Sequence, residues 1–213
     1  MKRYLSYEQL ELEEKQGRDY RVRFRWGPTG IAVMAPHGGR IEPGTGEIAE
    51  GVAGWEHSFY CFEGLKKEGN LSLHIPSPLF NEPIAIRVAE SSHTVVTIHG
   101  CKTEEEVIFI GGRDELLASK IGKKLETCGF SVRESHRLPG IHPMNLCNRC
   151  RSGKGVQIEI SASLRRSMFR FRSSRFNWLF KNAASTVAFQ QPVKEETTKT
   201  FSNLVAALRE GLR

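Results

Sequence analysis

Residues 31–39 read IAVMAPHGG, and residues 94–101 read TVVTIHGC. Each stretch begins with a continuous apolar run, Ile31–Ala35 in the first and Thr94–Ile98 in the second, as is typical of a strand buried on both faces of a sheet. In both stretches a histidine followed by glycine comes soon after the run. Strands of this kind occur mainly in sheets flanked by helices, so the two stretches predict an α/β fold.

Strand and helix patterns are mixed along the rest of the chain. We predict a single domain, residues 1–213, with a mixed open sheet, flanking helices and an exposed polar connection at residues 190–200. The glycine-rich residues after Pro36 predict a loop, with Thr45 as the cap of a short helix that begins near Gly46. The other predicted strands are Tyr20–Trp26, Phe59–Phe62, Leu71–Ile75, Val107–Ile110, Phe130–Arg133 and Val156–Ser161, and the other predicted helices are Tyr7–Lys15, Pro83–Glu90, Glu115–Cys128 and Asn203–Leu212.

The composition excludes several classes of protein. The chain has 213 residues, of which 39% are hydrophobic and 26% charged, enough for one substantial core and too apolar for a disordered protein. It lacks an apolar run of about 18 residues and the apolar stretch of a signal peptide, so we expect a cytoplasmic protein with no membrane span. The five cysteines are an odd number, which favours reduced thiols over a disulfide framework.

Positive charge is concentrated in residues 149–181. This segment holds nine Lys and Arg residues and the single acid Glu159, a formal charge of +8 against +7 for the whole chain. Aromatic side chains alternate with the basic ones, so the segment could bind a nucleic acid or another polyanion. It could equally be an amphipathic element with its aromatics in the core and its arginines in solvent. Charge alone leaves these alternatives open.

The two buried strands end in residues that bind metals. The carboxyl ends of parallel strands meet at one edge of an α/β sheet, which places His37 and His99 near each other. Glu42 follows His37 within a glycine-rich loop that allows both side chains to reach one ion. Two histidines and a glutamate form a catalytic Zn²⁺ set that leaves a fourth position for water. A single histidine at a strand end is more often a hydrogen-bonded structural residue, so the prediction depends on all three residues together.

A zinc hydrolase also needs a carboxylate that accepts a proton from water, and Glu159 is the candidate. It lies within Val156–Ser161, where its side chain alternates with buried isoleucines. A carboxylate in such a strand is costly unless a positive group, such as a metal ion, lies nearby. The alternative is an edge strand with Glu159 in solvent, and the pattern does not separate the two.

Further candidates lie around these residues. His74 ends a predicted strand and could contact substrate or metal. Asn148 and Arg149 precede the turn that leads into the Glu159 strand, so we expect them at the same end of the sheet, where the planar Arg149 side chain would suit a carboxylate. Cys147 and Cys150 have metal-ligand spacing, but there is no second cysteine pair to complete a four-thiolate site.

Several motifs in fixed order carry a resemblance to a known family. They are APHGGRIEPGTGEIA (35–49), FEGLKKEGNLSLHIPSPLFNEP (62–83), VVTIHGC (95–101), FIGGRDELL (109–117) and NRCRSGKGVQIEIS (148–161). Together they resemble the phage-type poly-γ-glutamate hydrolases of bacilli and their prophages, over roughly Tyr20–Phe169. Several motifs in the same order are more specific than any one of them.

The resemblance implies a zinc enzyme with a carboxypeptidase-like α/β core that cuts γ-amide bonds of poly-γ-glutamate. By similarity, His37, Glu42 and His99 match the metal ligands and Glu159 the catalytic glutamate. The pair at 148–149 resembles the Asn-Arg pair with which carboxypeptidase-like enzymes hold a substrate carboxylate. Four residues separate His37 from Glu42, whereas carboxypeptidases have two at this place, so exopeptidase specificity is not implied.

We therefore expect a monomeric zinc-dependent hydrolase of poly-γ-glutamate. A polyanionic substrate would explain the charge of residues 149–181, and release by cell lysis would bring the enzyme to an extracellular polymer. One alternative is a zinc deacylase of a small acyl-amino acid. Another is a nucleic-acid-binding protein that uses residues 149–181 and in which the histidines are structural.

Overall fold

The computed structural model describes residues 4–170 and 196–213, which form a sheet of seven strands with helices on both faces, and a small two-stranded sheet. The strands are β1 (Tyr20–Arg25), β2 (Ile31–Gly39), β3 (Ser58–Gly64), β4 (Thr94–Cys101), β5 (Ile108–Gly112), β6 (Val132–Glu134), β7 (Val156–Ser161), β8 (Phe169–Arg170) and β9 (Glu196–Thr197). The helices are α1 (Tyr7–Glu11), α2 (Thr45–Ala53), α3 (Pro83–Ser91), α4 (Glu115–Thr127), α5 (Ala162–Ser167) and α6 (Lys199–Gly211).

The main sheet mixes parallel and antiparallel pairs in the order β1-β3-β2-β4-β7-β5-β6. β2, β4 and β7 are parallel neighbours at its centre, whereas β1 runs antiparallel to β3 and β5 antiparallel to β7. Two antiparallel pairs within an otherwise parallel sheet make this a mixed α/β fold. The predicted fold class is confirmed.

Apolar side chains fill the space on both faces of the sheet. On one face, α2, α4 and α6 contribute Ile48, Ile121 and Leu204, all fully buried. On the other face, α3 packs beside the segment that follows β3, and Leu73 and Phe80 from that segment are fully buried. The central strands are therefore covered on both sides, which explains their continuous apolar runs.

β2 continues further than the sequence predicted. We expected a loop after Pro36, but β2 pairs with β3 as far as Gly39, with a shift in register between Ala35 and Gly38. Such a bulge accommodates Pro36, which has no N–H to donate to the ladder. The predicted cap was also wrong, because Gly44 with φ of 93° precedes α2 and the Thr45 hydroxyl donates to the Glu42 carbonyl at 2.8 Å.

Two other segments differ from their predicted structure. The predicted strand at Leu71–Ile75 is instead a 3₁₀ helix at Asn70–Leu73, entered through Gly69 with φ of 76°, and Pro76 beyond it has no N–H for a strand ladder. The predicted connection at residues 190–200 lies partly outside the described residues. Its last part holds β9, which is exposed, and the start of α6.

No described helix is long and apolar enough to cross a lipid bilayer.

Candidate metal centre and active site

The centre of the sheet brings the predicted chemical residues to one edge. β2, β4 and β7 are parallel neighbours, so their carboxyl ends lie side by side. His37 lies near the end of β2, and His99 of β4 is the direct register partner of Glu159 of β7. Three residues that are far apart in sequence therefore meet in one region.

A bulge in β2 presents His37. The register shift lies between Ala35 and Gly38, so it includes the histidine. β3 approaches so closely here that a Cβ at position 38 would lie 2.2 Å from the Cys61 Sγ. Glycine directly after the histidine is therefore required by the packing of β2 on β3.

Glu42 lies in the loop after β2, and its carboxylate turns back toward the strand ends. Its backbone N–H donates to the His37 carbonyl at 2.9 Å, which closes a tight turn. Its Oε2 accepts a hydrogen bond from the backbone N–H of Gly100 at 2.8 Å. Because Gly100 directly follows His99, this bond ties the Glu42 loop to the end of β4.

The three side chains form a compact cluster in which both imidazoles are buried. His37 is 1% exposed and His99 is 3% exposed. Their Nδ1 atoms are 3.2 Å apart, and Glu42 Oε1 lies 3.4 Å from His37 Nδ1. The third separation, from His99 Nδ1 to Glu42 Oε2, is 3.9 Å. One donor atom of each residue lies within 4.8 Å of the other two, so the three residues could hold one ion.

The other ring nitrogen of each histidine is directed away from the cluster. His37 Nε2 lies 2.8 Å from the carbonyl oxygen of Ile75, which can only accept, so Nε2 carries the proton. His99 Nε2 lies 3.3 Å from the Ser77 hydroxyl. The Nδ1 atoms of both rings thus face the cluster while their Nε2 atoms lie at hydrogen-bond distance from other groups, an arrangement typical of imidazoles that bind a metal through one nitrogen.

The spacing of the donor atoms fits a small divalent cation. Two ligands held about 2.0–2.1 Å from Zn²⁺ in tetrahedral geometry lie about 3.3 Å apart. The Nδ1–Nδ1 separation of 3.2 Å and the His37–Glu42 separation of 3.4 Å match this value, whereas the 3.9 Å between His99 Nδ1 and Glu42 Oε2 is longer. The residues present therefore fit the metal that the sequence predicted.

The surroundings of Glu42 and His99 favour the forms of these two groups that bind metals. Burial alone would raise the pKa of the Glu42 carboxyl, but its interactions with His37 above all, and its hydrogen bond with His74, outweigh burial and hold the pKa well below its usual range. Burial, together with the charge of His37, lowers the pKa of His99 to about 3. At neutral pH the cluster therefore offers a carboxylate and a neutral His99 imidazole.

Glu159 lies beside the cluster on an interior strand. β7 is between β4 and β5 and Glu159 is 6% exposed, which excludes the alternative of an edge strand with this carboxylate in solvent. Its Oε1 accepts from Gln157 Nε2 at 3.1 Å, and Gln157 in turn accepts from Asn145 Nδ2 at 2.8 Å. This chain of hydrogen bonds fixes the carboxylate. Burial, and secondarily the charge of Glu42, raises the pKa of Glu159 to about 8.

The raised pKa of Glu159 predicts that the free energy of unfolding of the metal-free protein depends on pH. Between about pH 4.5 and pH 8 the folded chain keeps a proton on Glu159 that the unfolded chain has lost, so stability falls as the pH rises through this range. Glu159→Gln removes this loss and keeps the oxygen that accepts from Gln157. In urea unfolding with a chelator, we expect the variant to gain about 2–4 kcal/mol relative to the wild type between pH 5 and pH 9. If the difference in unfolding free energy between variant and wild type were the same at pH 5 and pH 9, Glu159 would be ionised in the folded metal-free protein.

His74 lies at the open side of the cluster. Its ring stacks on that of His37 with centroids 3.8 Å apart, and its Nε2 lies 3.4 Å from Glu42 Oε1. Its side chain is 33% exposed, much more than those of the other two histidines. The structure thus places His74 where solvent and the cluster meet. Its predicted substrate contact stays a prediction.

Asn148 and Arg149 lie in a short 3₁₀ helix before β7. The Asn148 amide donates to the carbonyls of Gly140 at 2.7 Å and His142 at 2.9 Å, and its oxygen accepts from the backbone N–H of Gly155 at 3.1 Å. Both amide hydrogens are therefore used in holding the loop together.

The expectation that this pair shares a sheet end with Glu159 is wrong. The turn after Arg149 leads into the amino end of β7. Asn148 is hydrogen-bonded to Gly155, which lies four residues before Glu159, or about 13 Å along an extended strand. Arg149 lies 3.6 Å from Glu90 of α3. Its described contacts do not link it to the cluster, and substrate binding by Asn148 or Arg149 stays a prediction.

Three residues near the cluster were not singled out from the sequence. The Ile75 carbonyl contacts His37 and the Ser77 hydroxyl contacts His99. Ile75 ends the predicted strand Leu71–Ile75, and Ser77 lies two residues beyond it. Arg165 is a buried arginine whose guanidinium lies against Gly100. An arginine in a basic segment gives no signal that it is buried, so only the structure distinguishes Arg165 from its neighbours.

The two cysteines near Asn148 are buried free thiols. Cys147 Sγ lies 3.8 Å from the Gly140 carbonyl and Cys150 Sγ 3.3 Å from the Ser152 hydroxyl. Within residues 4–170 and 196–213, the one group with metal-binding geometry is the His37, Glu42 and His99 cluster, and it includes neither thiol.

The basic segment at residues 149–181 is described only as far as residue 170. Within that part, the Phe169 ring packs on Phe201 of α6, with centroids 5.6 Å apart. The aromatic residues Phe171, Phe176, Trp178 and Phe180 lie outside the described residues. Nucleic-acid binding by this segment is therefore untested.

Comparison with known proteins decides the family. A profile of the family described as Poly-gamma-glutamate hydrolase matches residues 4–195. The chain belongs to this family. The resemblance indicated by the sequence motifs is thereby confirmed.

Two sequence relatives come from Bacillus subtilis (strain 168). The chain is 37% identical to YndL over 169 residues and 35% identical to the SPbeta prophage-derived protein YoqZ over 170 residues. Each alignment covers 78% of this chain but only 66% of YndL and 61% of YoqZ. The chain thus matches less than two thirds of the length of these relatives.

Solved structures of the family share the fold. A bacteriophage poly-gamma-glutamate hydrolase superposes with a TM-score of 0.85 at 30% identity, covering 100% of this chain and 97% of that one. A zinc-free structure of YndL gives the same TM-score and identity and covers 100% and 98% of the two chains.

Proposed function

We propose that this protein hydrolyses γ-glutamyl amide bonds of poly-γ-glutamate with the help of Zn²⁺ held by His37, Glu42 and His99. The observation that carries the proposal is the cluster itself, in which one donor atom of each residue lies within 4.8 Å of the others and the Nδ1–Nδ1 and His37–Glu42 separations are those of tetrahedral ligands. Membership of the poly-gamma-glutamate hydrolase family supports the substrate, and the zinc-free form of the relative YndL supports the metal. Bound there, Zn²⁺ would supply a Lewis acid and increase the acidity of a nearby water.

Glu159 fits the role of the general base. It is the register partner of His99, so its carboxylate borders the cluster without being part of it. Positive charge at the cluster favours the ionised form of this carboxylate. Glu159 would take a proton from the attacking water while the water oxygen bonds to the amide carbon, and would then give that proton to the leaving nitrogen as the C–N bond breaks.

The positions of the other residues suit this reaction. Gln157 holds one oxygen of Glu159, which restricts the movement of the base. His74 lies at the solvent side and can contact an arriving substrate. The formal charge of +8 over residues 149–181 would attract a polymer that carries a carboxylate on each residue, and salt would weaken this attraction.

Hydrolysis of the purified polymer tests the proposal. We expect the protein to shorten poly-γ-glutamate in size-exclusion chromatography, a chelator to abolish the reaction, and added Zn²⁺ to restore it. A chelator already saturated with Zn²⁺ is the control and should have no effect. An intact polymer in the presence of zinc-loaded protein would exclude this substrate, and small acyl-amino acids would be assayed next. Cleavage that is insensitive to the chelator would contradict the metal-dependent mechanism.

A further inference from the structure

Arg165 is a buried arginine that the proposed reaction has not used. It lies in α5, directly after β7, and is 8% exposed. Its Nε donates to the carbonyl of Ile160 at 3.1 Å, and its Nη1 donates to the carbonyl of Pro43 at 2.6 Å. The guanidinium therefore joins the end of β7 to the loop that follows β2.

The same guanidinium also lies against the end of β4. A Cβ built on Gly100 would be 2.5 Å from Arg165 Cζ and 2.7 Å from its Nη2. No side chain larger than glycine fits at this position unless Arg165 moves. The absence of a side chain at position 100 is thus what allows the guanidinium to reach the backbone of β4.

Each of the three backbone segments contacted by Arg165 directly follows a residue of the proposed site. Pro43 follows Glu42, Gly100 follows His99, and Ile160 follows Glu159. The planar guanidinium presents its donors in a fixed fork, so one side chain can hold several backbone groups in a set geometry.

Among the described residues, no carboxylate forms a hydrogen bond or an ion pair with Arg165. Within residues 4–170 and 196–213, its hydrogen bonds go to backbone carbonyls, and Glu42 and Glu159 act on it only through their charges. A buried guanidinium that bonds to carbonyls instead of an acid is costly. An exposed position in solvent would avoid this cost, which argues for a role in the site.

We propose that Arg165 is a positioning residue that fixes the backbone behind Glu42, His99 and Glu159 in the arrangement that metal binding and proton transfer require. The inference rests on the proposed function because it concerns the same site. It assigns Arg165 no contact with the substrate. It predicts instead that losing the guanidinium loosens the metal ligands while the rest of the fold stays intact.

Metal binding to the folded chain tests this inference apart from hydrolysis. We expect Arg165→Met to weaken Zn²⁺ binding about 10–100-fold in competition with a chelating dye, the range typical of residues that support metal ligands. The visible absorption of bound Co²⁺, which reports ligand geometry, should change as well. Arg165→Lys should recover part of the affinity, because it keeps one donor group and the charge.

The neighbouring Arg166 provides a matched control. Its side chain is 61% exposed and pairs with Glu104 on the surface. Arg166→Met removes the same chemical group from the same helix, so it should leave Zn²⁺ affinity and the Co²⁺ spectrum unchanged. If Arg165→Met likewise bound Zn²⁺ with wild-type affinity and gave the wild-type Co²⁺ spectrum, the inference would be overturned.

Gly100→Ala gives a second route if Arg165→Met does not fold. The added methyl group would displace the guanidinium, so the variant should also weaken Zn²⁺ binding. In a chain that also carries Arg165→Lys, Gly100→Ala should lower Zn²⁺ affinity by a smaller factor, because the guanidinium that the methyl group would displace is absent. Fully additive effects would overturn the inference. If the variants lose Zn²⁺ affinity as expected but the wild type does not cleave the polymer, the proposed substrate would be contradicted and the role of Arg165 would still hold.

Discussion

Glu159→Gln is expected to lower the rate of poly-γ-glutamate hydrolysis by about 10²–10⁴-fold, the contribution typical of a general base. The amide cannot accept a proton from water, but it keeps the oxygen that accepts a hydrogen bond from Gln157. Glu159 is not part of the metal-binding cluster, so the Zn²⁺ content should stay at the wild-type level. Turnover by size-exclusion chromatography and metal content by atomic absorption measure the two effects separately.

Glu126→Gln is the matched control for this substitution. Glu126 lies on the exposed face of α4, so the same chemical change there should alter neither rate nor metal content. Wild-type hydrolysis by Glu159→Gln would show that another group accepts the proton. Loss of both activity and Zn²⁺ would instead make Glu159 a contributor to metal binding.

His99→Ala is expected to abolish Zn²⁺ binding at concentrations that saturate the wild type. Substitution of a residue that only supports a metal ligand typically lowers metal affinity by about 10–100-fold. Substitution of a ligand itself should lower the affinity by a larger factor. A metal that binds the folded state at about 1,000 times its dissociation constant adds about 4 kcal/mol of stability. Thermal unfolding with and without Zn²⁺ should therefore show a large shift for the wild type and none for the variant.

His93→Ala controls for the loss of an imidazole at a position outside the cluster. His93 is exposed and immediately precedes β4, so its removal should leave the Zn²⁺-dependent shift unchanged. Equal shifts in His99→Ala and the wild type would exclude His99 as a ligand. The proposed metal centre would then have to be assigned to other residues.

Most of the fold follows from local patterns in the sequence. The apolar runs Ile31–Ala35 and Thr94–Ile98 lie within β2 and β4, because strands covered on both faces need apolar side chains on both. The helical spacing of apolar residues at Glu115–Cys128 correctly predicted α4, because only one face of this helix is buried. Where the prediction failed, as at Leu71–Ile75, an apolar pattern of similar length was folded into a 3₁₀ helix by the glycine before it and the proline after it.

The site was less predictable than the fold. His37 and His99 were singled out because each follows a buried strand, and this rule places residues well when the strands are parallel neighbours. The same reasoning failed for Asn148 and Arg149, because their turn enters β7 at its amino end rather than leaving its carboxyl end. Arg165 gave no signal, since burial of an arginine depends on which loops surround it.

The sequence by itself determined the chemistry available to this protein: two imidazoles, the carboxylates of Glu42 and Glu159, and strands apolar enough to be buried. The tertiary structure decided which of these groups meet. Distances between residues far apart in the chain depend on strand order and close packing, which local preferences do not encode. For that reason only the structure revealed the 3.2 Å between the Nδ1 atoms of His37 and His99, and the guanidinium of Arg165 behind them.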